Sequence, residues 1–289
     1  MKTFTNIINA HDLHALPSAQ TLIIDVRHSL ADFSVGQKAY AQSHIPNAHF
    51  LNMETELSGA KTGRNGRHPL PDWDQLTEKL RNIGMNHDTQ VVAYDDAGGM
   101  MAARVWWLLR ALGHPAVAVL DGGIGAWERA GFALTSDVPT IAAQGDFQRG
   151  TSLMRVLTAE QVRNHLDCAE QILVDARSPE RYRGEAEPID PIAGHIPSAL
   201  NHFCADNLQA DVTFKPADEL RAQWLACLGD DAAEQMDRVV HYCGSGITAS
   251  HNLLSMHIAG LDISTAGAGL YAGSWSEWIA DEQRPREPS

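Results

Sequence analysis

Four short segments of this chain return about half a chain-length later, and that duplication constrains the fold more than composition does. Leu22-Ile23-Ile24-Asp25-Val26-Arg27 returns as Ile172-Leu173-Val174-Asp175-Ala176-Arg177. His44-Ile45-Pro46-Asn47-Ala48 returns as His195-Ile196-Pro197-Ser198-Ala199, and Val91-Val92-Ala93-Tyr94-Asp95 as Val239-Val240-His241-Tyr242-Cys243. Asp121-Gly122-Gly123, ahead of Trp127, is echoed more loosely by Ala272-Gly273-Ser274 ahead of Trp278. The offsets are 150, 151, 148 and 151 residues, so order and spacing are both kept. Chance likeness of apolar strands accounts for one such pair but not for four in register, so the chain reads as two copies of one unit.

Within each copy, short β-branched runs alternate with helical patterns, as in Val91–Tyr94, Met100–Leu112 and Val117–Leu120. Strands separated by helices imply parallel pairing with right-handed crossovers. Ala102 to Arg110 is apolar nearly all round, as a helix covering a sheet would be, and its Trp106-Trp107 pair reads as core. Thr135 to Ser152, rich in Ser, Thr, Gly and Ala with Pro139, reads as a connection. The expected architecture is α/β, with two tandem domains that are each a mainly parallel sheet flanked by helices. The expected boundaries are residues 1–136, a linker over 137–155, and residues 156–289.

With 289 residues, 44% of them hydrophobic, the chain can bury two moderate cores. No stretch approaches the ~20 apolar residues of a membrane span, and Met1 to Ala10 lacks the apolar region of a signal peptide. The net charge of −14 argues against nucleic-acid partners, whose affinity comes from Lys and Arg contacts to phosphate. Residues 1–145 hold 11 Lys and Arg against 14 Asp and Glu, whereas residues 146–289 hold 11 against 22, so any anion site must be local. Cys168, Cys204, Cys227 and Cys243 show neither C-x-x-C spacing nor a disulfide framework, which predicts a reducing, cytoplasmic setting. The 14 histidines are scattered, with no zinc-type spacing, and neither a metal nor an organic cofactor is expected.

Cys243 is the residue with chemistry to offer. It ends the run Val239-Val240-His241-Tyr242 and opens Gly244-Ser245-Gly246-Ile247-Thr248, ahead of a helical pattern over Ala249 to Ile258. Free backbone N–H groups at such a strand-to-helix turn favour an anion and lower a thiol pKa, giving a thiolate nucleophile at neutral pH. The glycines remove Cβ atoms that would keep a substrate from those amides. The alternative is a cysteine buried behind a turn. The matching position in the first copy is Asp95, followed by Asp96-Ala97-Gly98-Gly99. A carboxylate is no sulfur nucleophile, so the first domain is expected to be non-catalytic and the second catalytic.

Taken together, the Asp-x-Arg strand ends, both His-Ile-Pro segments, Asp121-Gly122-Gly123 with Trp127, and Ala272 to Trp278 resemble the rhodanese sulfurtransferase superfamily in its tandem form. The loop Cys243-Gly244-Ser245-Gly246-Ile247-Thr248 is similar to the Cys-Gly-Ser-Gly-Val-Thr signature of 3-mercaptopyruvate sulfurtransferases. Thiosulfate-preferring members usually carry basic side chains in that loop, and here none is charged. The resemblance implies that Cys243 takes a sulfur from the donor as a persulfide and passes it to cyanide or to a small, protein or thioredoxin-like thiol. The amides of Gly244, Gly246, Ile247 and Thr248 would stabilise the negative sulfur.

The same resemblance assigns the supporting residues. Arg181-Tyr182-Arg183-Gly184 matches an element whose first arginine holds the donor carboxylate, which places that role on Arg181. A second arginine is usual after a Glu-Pro pair, but Glu187-Pro188 is followed by Ile189, leaving Arg183 or another side chain to substitute. An acid, a histidine and the loop serine form a relay in the mercaptopyruvate enzymes. Ser245 holds the serine position, His68 in His68-Pro69-Leu70-Pro71 the histidine, and Glu54 the acid. Histidine suits such a role because its pKa lies near neutrality. The expected activity is transfer of sulfur from 3-mercaptopyruvate with release of pyruvate. The rivals are thiosulfate:cyanide transfer and a non-catalytic sulfur-carrying module. A cysteine phosphatase would need an arginine where Ala249 stands.

Overall fold

A computed structural model describes residues 2–141, 143–166, 168, 170–229 and 234–287. The chain forms two compact units, Met1–Gly59 with Pro71–Leu153 and Ala210–Phe214, and Ala60–Leu70 with Met154–Gln209 and Lys215–Ser289. The units are therefore not contiguous in sequence: a segment from the first half, carrying His68, is built into the second unit.

In the first unit the elements run β1 (Ile7–Ile8), α1 (Ala10–Ala15), β2 (Thr21–Asp25), α2 (Ser34–Gln42), β3 (Ala48–Phe50), α3 (Trp73–Asn82), β4 (Gln90–Tyr94), α4 (Ala102–Ala111), β5 (Val117–Leu120) and α5 (Gly123–Arg129). The second unit follows with β6 (Arg155–Leu157), α6 (Ala159–Arg163), β7 (Ile172–Asp175), α7 (Pro179–Tyr182), β8 (Leu200–Asn201), α8 (Ala217–Leu228), β9 (Val239–Tyr242), α9 (Thr248–Ile258), β10 (Gly269–Tyr271) and α10 (Ser274–Trp278). Among the described residues each unit has a five-stranded sheet, ordered β1-β5-β4-β2-β3 and β6-β10-β9-β7-β8, with every pairing parallel. Position by position the two orders are the same, as a duplicated unit requires.

The central strands are buried along their whole length, because helices cover both faces of each sheet, and this is why they read as unbroken apolar runs. Trp106 and Trp107 are fully buried on α4, and the Trp106 indole donates to the Thr5 carbonyl at 2.9 Å. Local signals fix several helix starts: Asp72 accepts from the Asp74 and Gln75 amides, and Thr158 with Gln161 forms a capping box at α6.

The repeated motifs are anchors of the sheet ends. Arg27 clasps Asp25 and donates to the Ser43 carbonyl at 2.6 Å, while Arg177 clasps Asp175 and donates to the Gly194 carbonyl at 2.7 Å. Tyr94 donates to Asp25 at 2.7 Å and accepts from the Ile45 amide; Tyr242 accepts from the Ile196 amide in the same way. The residues after the two His-Ile-Pro prolines, Asn47 and Ser198, both adopt left-handed backbone at φ 65° and 60°. A side-chain clasp and a strained turn thus recur at matching positions in both sheets.

The stretch expected to connect the domains is held down over much of its length. Within the first unit, Phe147 is buried and its amide donates to the Met85 carbonyl, and the Gly145 amide donates to the Arg81 carbonyl. Ala142 in this stretch lies outside the described residues. Among the described residues no helix is long and apolar enough to cross a membrane.

Candidate active site

Cys243 directly follows the last residue of β9, and its loop ends at the first turn of α9. The Gly246 amide donates to its Sγ at 3.1 Å. The residue is only 2% exposed. Burial by itself would raise the thiol pKa, but the Thr248 hydroxyl and the Ser245, Ala249 and Gly246 amides outweigh it and hold the pKa below the ordinary value. The thiols of Cys204 and Cys227 go the opposite way. Burial, with the negative Cys243 nearby, pushes Cys204 up to about 12, and burial pushes Cys227 up to about 11. Converging donors, rather than burial, select Cys243.

The loop is fixed from the side by α10. Ser274 donates to the Tyr271 carbonyl and accepts from the Cys243 amide at 3.1 Å, holding a left-handed φ of 54° to do so. The Trp275 and Ser276 amides donate to the Cys243 and Gly244 carbonyls, both at 3.0 Å. Turning those carbonyls toward α10 leaves the loop N–H groups free to face the sulfur. Gly246 must be glycine: its φ is +82° and a Cβ there would lie 2.3 Å from the Ala272 carbonyl oxygen.

Ser245 and His68 meet within the second unit, with Nδ1 and Oγ 2.7 Å apart and both residues buried. The Ala60–Leu70 segment that carries His68 is pinned to α10, since the Arg67 amide donates to Ser276 Oγ at 3.0 Å. Glu54 belongs to the first unit, where it lies 3.6 Å from the His28 ring. Ile247 and Ser250 to Asn252 are buried behind the loop.

Two guanidinium groups stand over Gly244. A Cβ on that glycine would lie 2.7 Å from Arg67 Nη2 and 3.4 Å from Arg181 Nη2, so the missing side chain admits both cations. Burial lowers the Arg67 pKa, with the negative Cys243 opposing that shift. Arg181 is gripped in bidentate fashion by Glu187 and also donates to Asp190 at 3.1 Å, while Arg67 donates to the other oxygen of Asp190. Ile189 is 40% exposed. Arg183 pairs with Glu185 on the surface. Arg67 was not among the arginines expected from the sequence. Its one signal is adjacency to His68, since a residue beside a histidine that reaches Ser245 is carried to the same loop. His241, two residues before Cys243, is core: it is fully buried, its Nε2 lies 2.9 Å from Met256 Sδ, and burial drives its pKa down to about 3.

A buried thiol whose pKa is lowered by converging donors, beneath paired cations and beside a histidine-backed hydroxyl, is equipped to take a group from a small anionic donor. The sequence matches the rhodanese-like domain family over residues 9–130 and 158–281, and the chain belongs to that family. It is 44% identical over 282 residues, 96% of each chain, to a Pseudomonas aeruginosa protein named "Probable 3-mercaptopyruvate sulfurtransferase". It is 32% identical over 248 residues, 84% of this chain and 80% of the other, to the thiosulfate sulfurtransferase of Mus musculus. The 3-mercaptopyruvate sulfurtransferase from Leishmania major superposes with a TM-score of 0.82 at 27% identity, over 97% of this chain and 75% of that one. Within the family, therefore, the chain is an enzyme of the sulfurtransferase class.

Proposed function

We propose that this enzyme takes sulfur from 3-mercaptopyruvate onto Cys243 and passes it to a thiol, small, protein or thioredoxin-like, or to cyanide. The observation that carries the choice of donor is the 2.7 Å contact between Ser245 and His68. A keto donor develops negative charge on its carbonyl oxygen as the carbon–sulfur bond breaks, and thiosulfate does not. With the proton on Nδ1, the imidazole donates to Ser245 Oγ and leaves the serine hydroxyl proton for that oxygen. Arg181 and Arg67, beside Gly244, fit the donor carboxylate. Glu54 is assigned the acid of the relay from the family spacing. Thiosulfate:cyanide transfer remains the rival reading, and a loop without a charged residue weighs against it.

The steps balance. The Cys243 thiolate attacks the donor sulfur, a sulfur–sulfur bond forms, and the carbon–sulfur pair moves into the enolate of pyruvate. The donor's thiol proton ends on the methyl carbon of pyruvate, and Cys243 is left as a persulfide anion held by the amides of Ser245, Gly246 and Ala249 and by the Thr248 hydroxyl. An acceptor thiolate or cyanide then attacks the outer sulfur and restores the Cys243 thiolate. The nucleophile must stay reduced between turnovers, which supports a cytoplasmic setting.

Steady-state kinetics on both donors test the reading. The wild type should show the higher kcat/KM with 3-mercaptopyruvate. Ser245→Ala should lower kcat with that donor about a hundredfold while changing the thiosulfate rate far less, as befits loss of one transition-state donor. Equal losses with both donors, or a wild-type preference for thiosulfate, would overturn it.

A further inference from the structure

We propose that Asp190 is a positioning residue that sets the charge of the donor this site accepts, by holding Arg67 and Arg181 side by side and cancelling part of their charge. The inference deepens the reading of Arg67 and Arg181 as the donor-binding cations, and it rests on that reading.

Two guanidinium groups repel each other and do not settle beside one glycine unaided. Here a single carboxylate spans them. Asp190 Oδ1 accepts from Arg67 Nη1, and Asp190 Oδ2 accepts from Arg181 Nη2 at 3.1 Å. The carboxylate is buried, with 2% of its side chain exposed, and its backbone amide donates to Glu187 Oε1 at 3.0 Å. Glu187 in turn grips Arg181 and reaches Arg177 at 3.3 Å, and Arg177 is clasped by Asp175. Around the Cys243 loop, Arg67, Arg177 and Arg181 are thus balanced by Asp175, Glu187 and Asp190. The Cys243 thiolate makes the cluster net negative.

A site balanced in this way tolerates a singly charged carboxylate better than a doubly charged sulfonate-type donor, because each further negative charge meets no spare cation. Ile189 supplies nothing: the position next to Asp190 is apolar and 40% exposed, so the two buried-side arginines are the cations that Asp190 can tune. Asp190 therefore does two things with one carboxylate. It fixes where the guanidinium groups point, and it keeps their combined pull matched to a single charge.

The test uses the intact protein and three variants. Asp190→Asn keeps the shape and removes the charge; Asp190→Glu keeps the charge; Ile189→Arg adds a cation at an exposed neighbour and does not depend on replacing a buried group. Asp190→Asn and Ile189→Arg should each raise the ratio of thiosulfate to 3-mercaptopyruvate kcat/KM about tenfold, mainly through KM. Asp190→Glu should restore a ratio near the wild-type value, which a merely structural role would not predict. A readout without sulfur transfer accompanies it: protection of Cys243 from iodoacetamide by sulfate should improve about tenfold in Asp190→Asn, while protection by pyruvate should not. A wild-type preference for thiosulfate would sink the donor assignment and leave these shifts to be read on their own. Unchanged ratios and unchanged sulfate protection in both Asp190→Asn and Ile189→Arg would overturn the role of Asp190.

Discussion

The loop after β4 and the loop after β9 occupy the same place in two sheets of the same strand order, yet they treat an anion differently. In the first unit the anion is Asp95. Its Oδ1 accepts from the Ala97 and Gly99 amides at 2.9 and 2.8 Å, and its Oδ2 from the Met101 and Ala102 amides at 2.7 and 2.9 Å. The cradle is filled by the protein's own carboxylate, fully buried and saturated with donors. In the second unit the cradle holds a sulfur with comparable donors but with an electron pair that can still attack. A fold that gathers backbone N–H groups at a strand end therefore stabilises whatever anion the sequence places there, and one residue decides whether that stabilisation becomes structure or chemistry.

The helices behind the loops diverged with them. α4 is apolar along almost its whole buried face, whereas α9 buries Ser250, His251, Asn252 and Ser255. Those groups are satisfied locally: Ser250 donates to the Gly246 carbonyl at 3.2 Å, Asn207 donates to Asn252 at 2.9 Å, and the Trp224 indole donates to Ser255 at 3.0 Å. A satisfied polar network specifies one arrangement more narrowly than greasy packing does, which suits a helix that begins at the Cys243 loop.

The comparison can be broken most forcefully at Cys243, the proposed nucleophile. Cys243→Ser should lower sulfur transfer by at least about a thousandfold, as for other essential nucleophiles, and should abolish the labile sulfur loaded by 3-mercaptopyruvate. If the serine variant still turned over, the second loop would be as inert as the first. Next in size is Asp95→Asn, which replaces one of the two acceptor oxygens by an NH2 donor that must face two backbone N–H groups. Chemical denaturation should register a loss of about 3 kcal/mol, with transfer per folded molecule unchanged. A loss of activity without a loss of stability would show that the first loop does more than hold its own sheet. The smallest effect is expected from Thr248→Val. Removing that hydroxyl takes away a donor to the thiolate, so the Cys243 pKa rises and the midpoint of the alkylation rate against pH moves upward by about one unit. Alkylation at neutral pH should slow accordingly, and an unshifted midpoint would mean that the backbone amides alone do the work.

Much of this was legible in the residues and some was not. The duplicated segments predicted two tandem α/β units with mainly parallel sheets, because apolar runs and strand-end motifs are local signals that survive in sequence. The Trp106-Trp107 pair was legible as core for the same reason. The resemblance in the His-x-Leu-Pro element led to His68, which the fold brings to Ser245 across 177 residues of chain. Arg67 was not legible, since nothing within its own neighbourhood says that it shares a carboxylate with Arg181. Arg183, an expected candidate, pairs with Glu185 two residues on.

What the sequence determined by itself is a pair of repeated sheets and a thiol at the end of one strand, because periodicity and strand-end residues act over a few positions at a time. What only the tertiary structure decided is the electrostatic company that thiol keeps: which amides turn toward it, which hydroxyl is backed by an imidazole, and which arginines a buried carboxylate holds over Gly244. Those are sums over groups far apart in the chain, and Coulomb energy depends on distance in space rather than on separation in sequence.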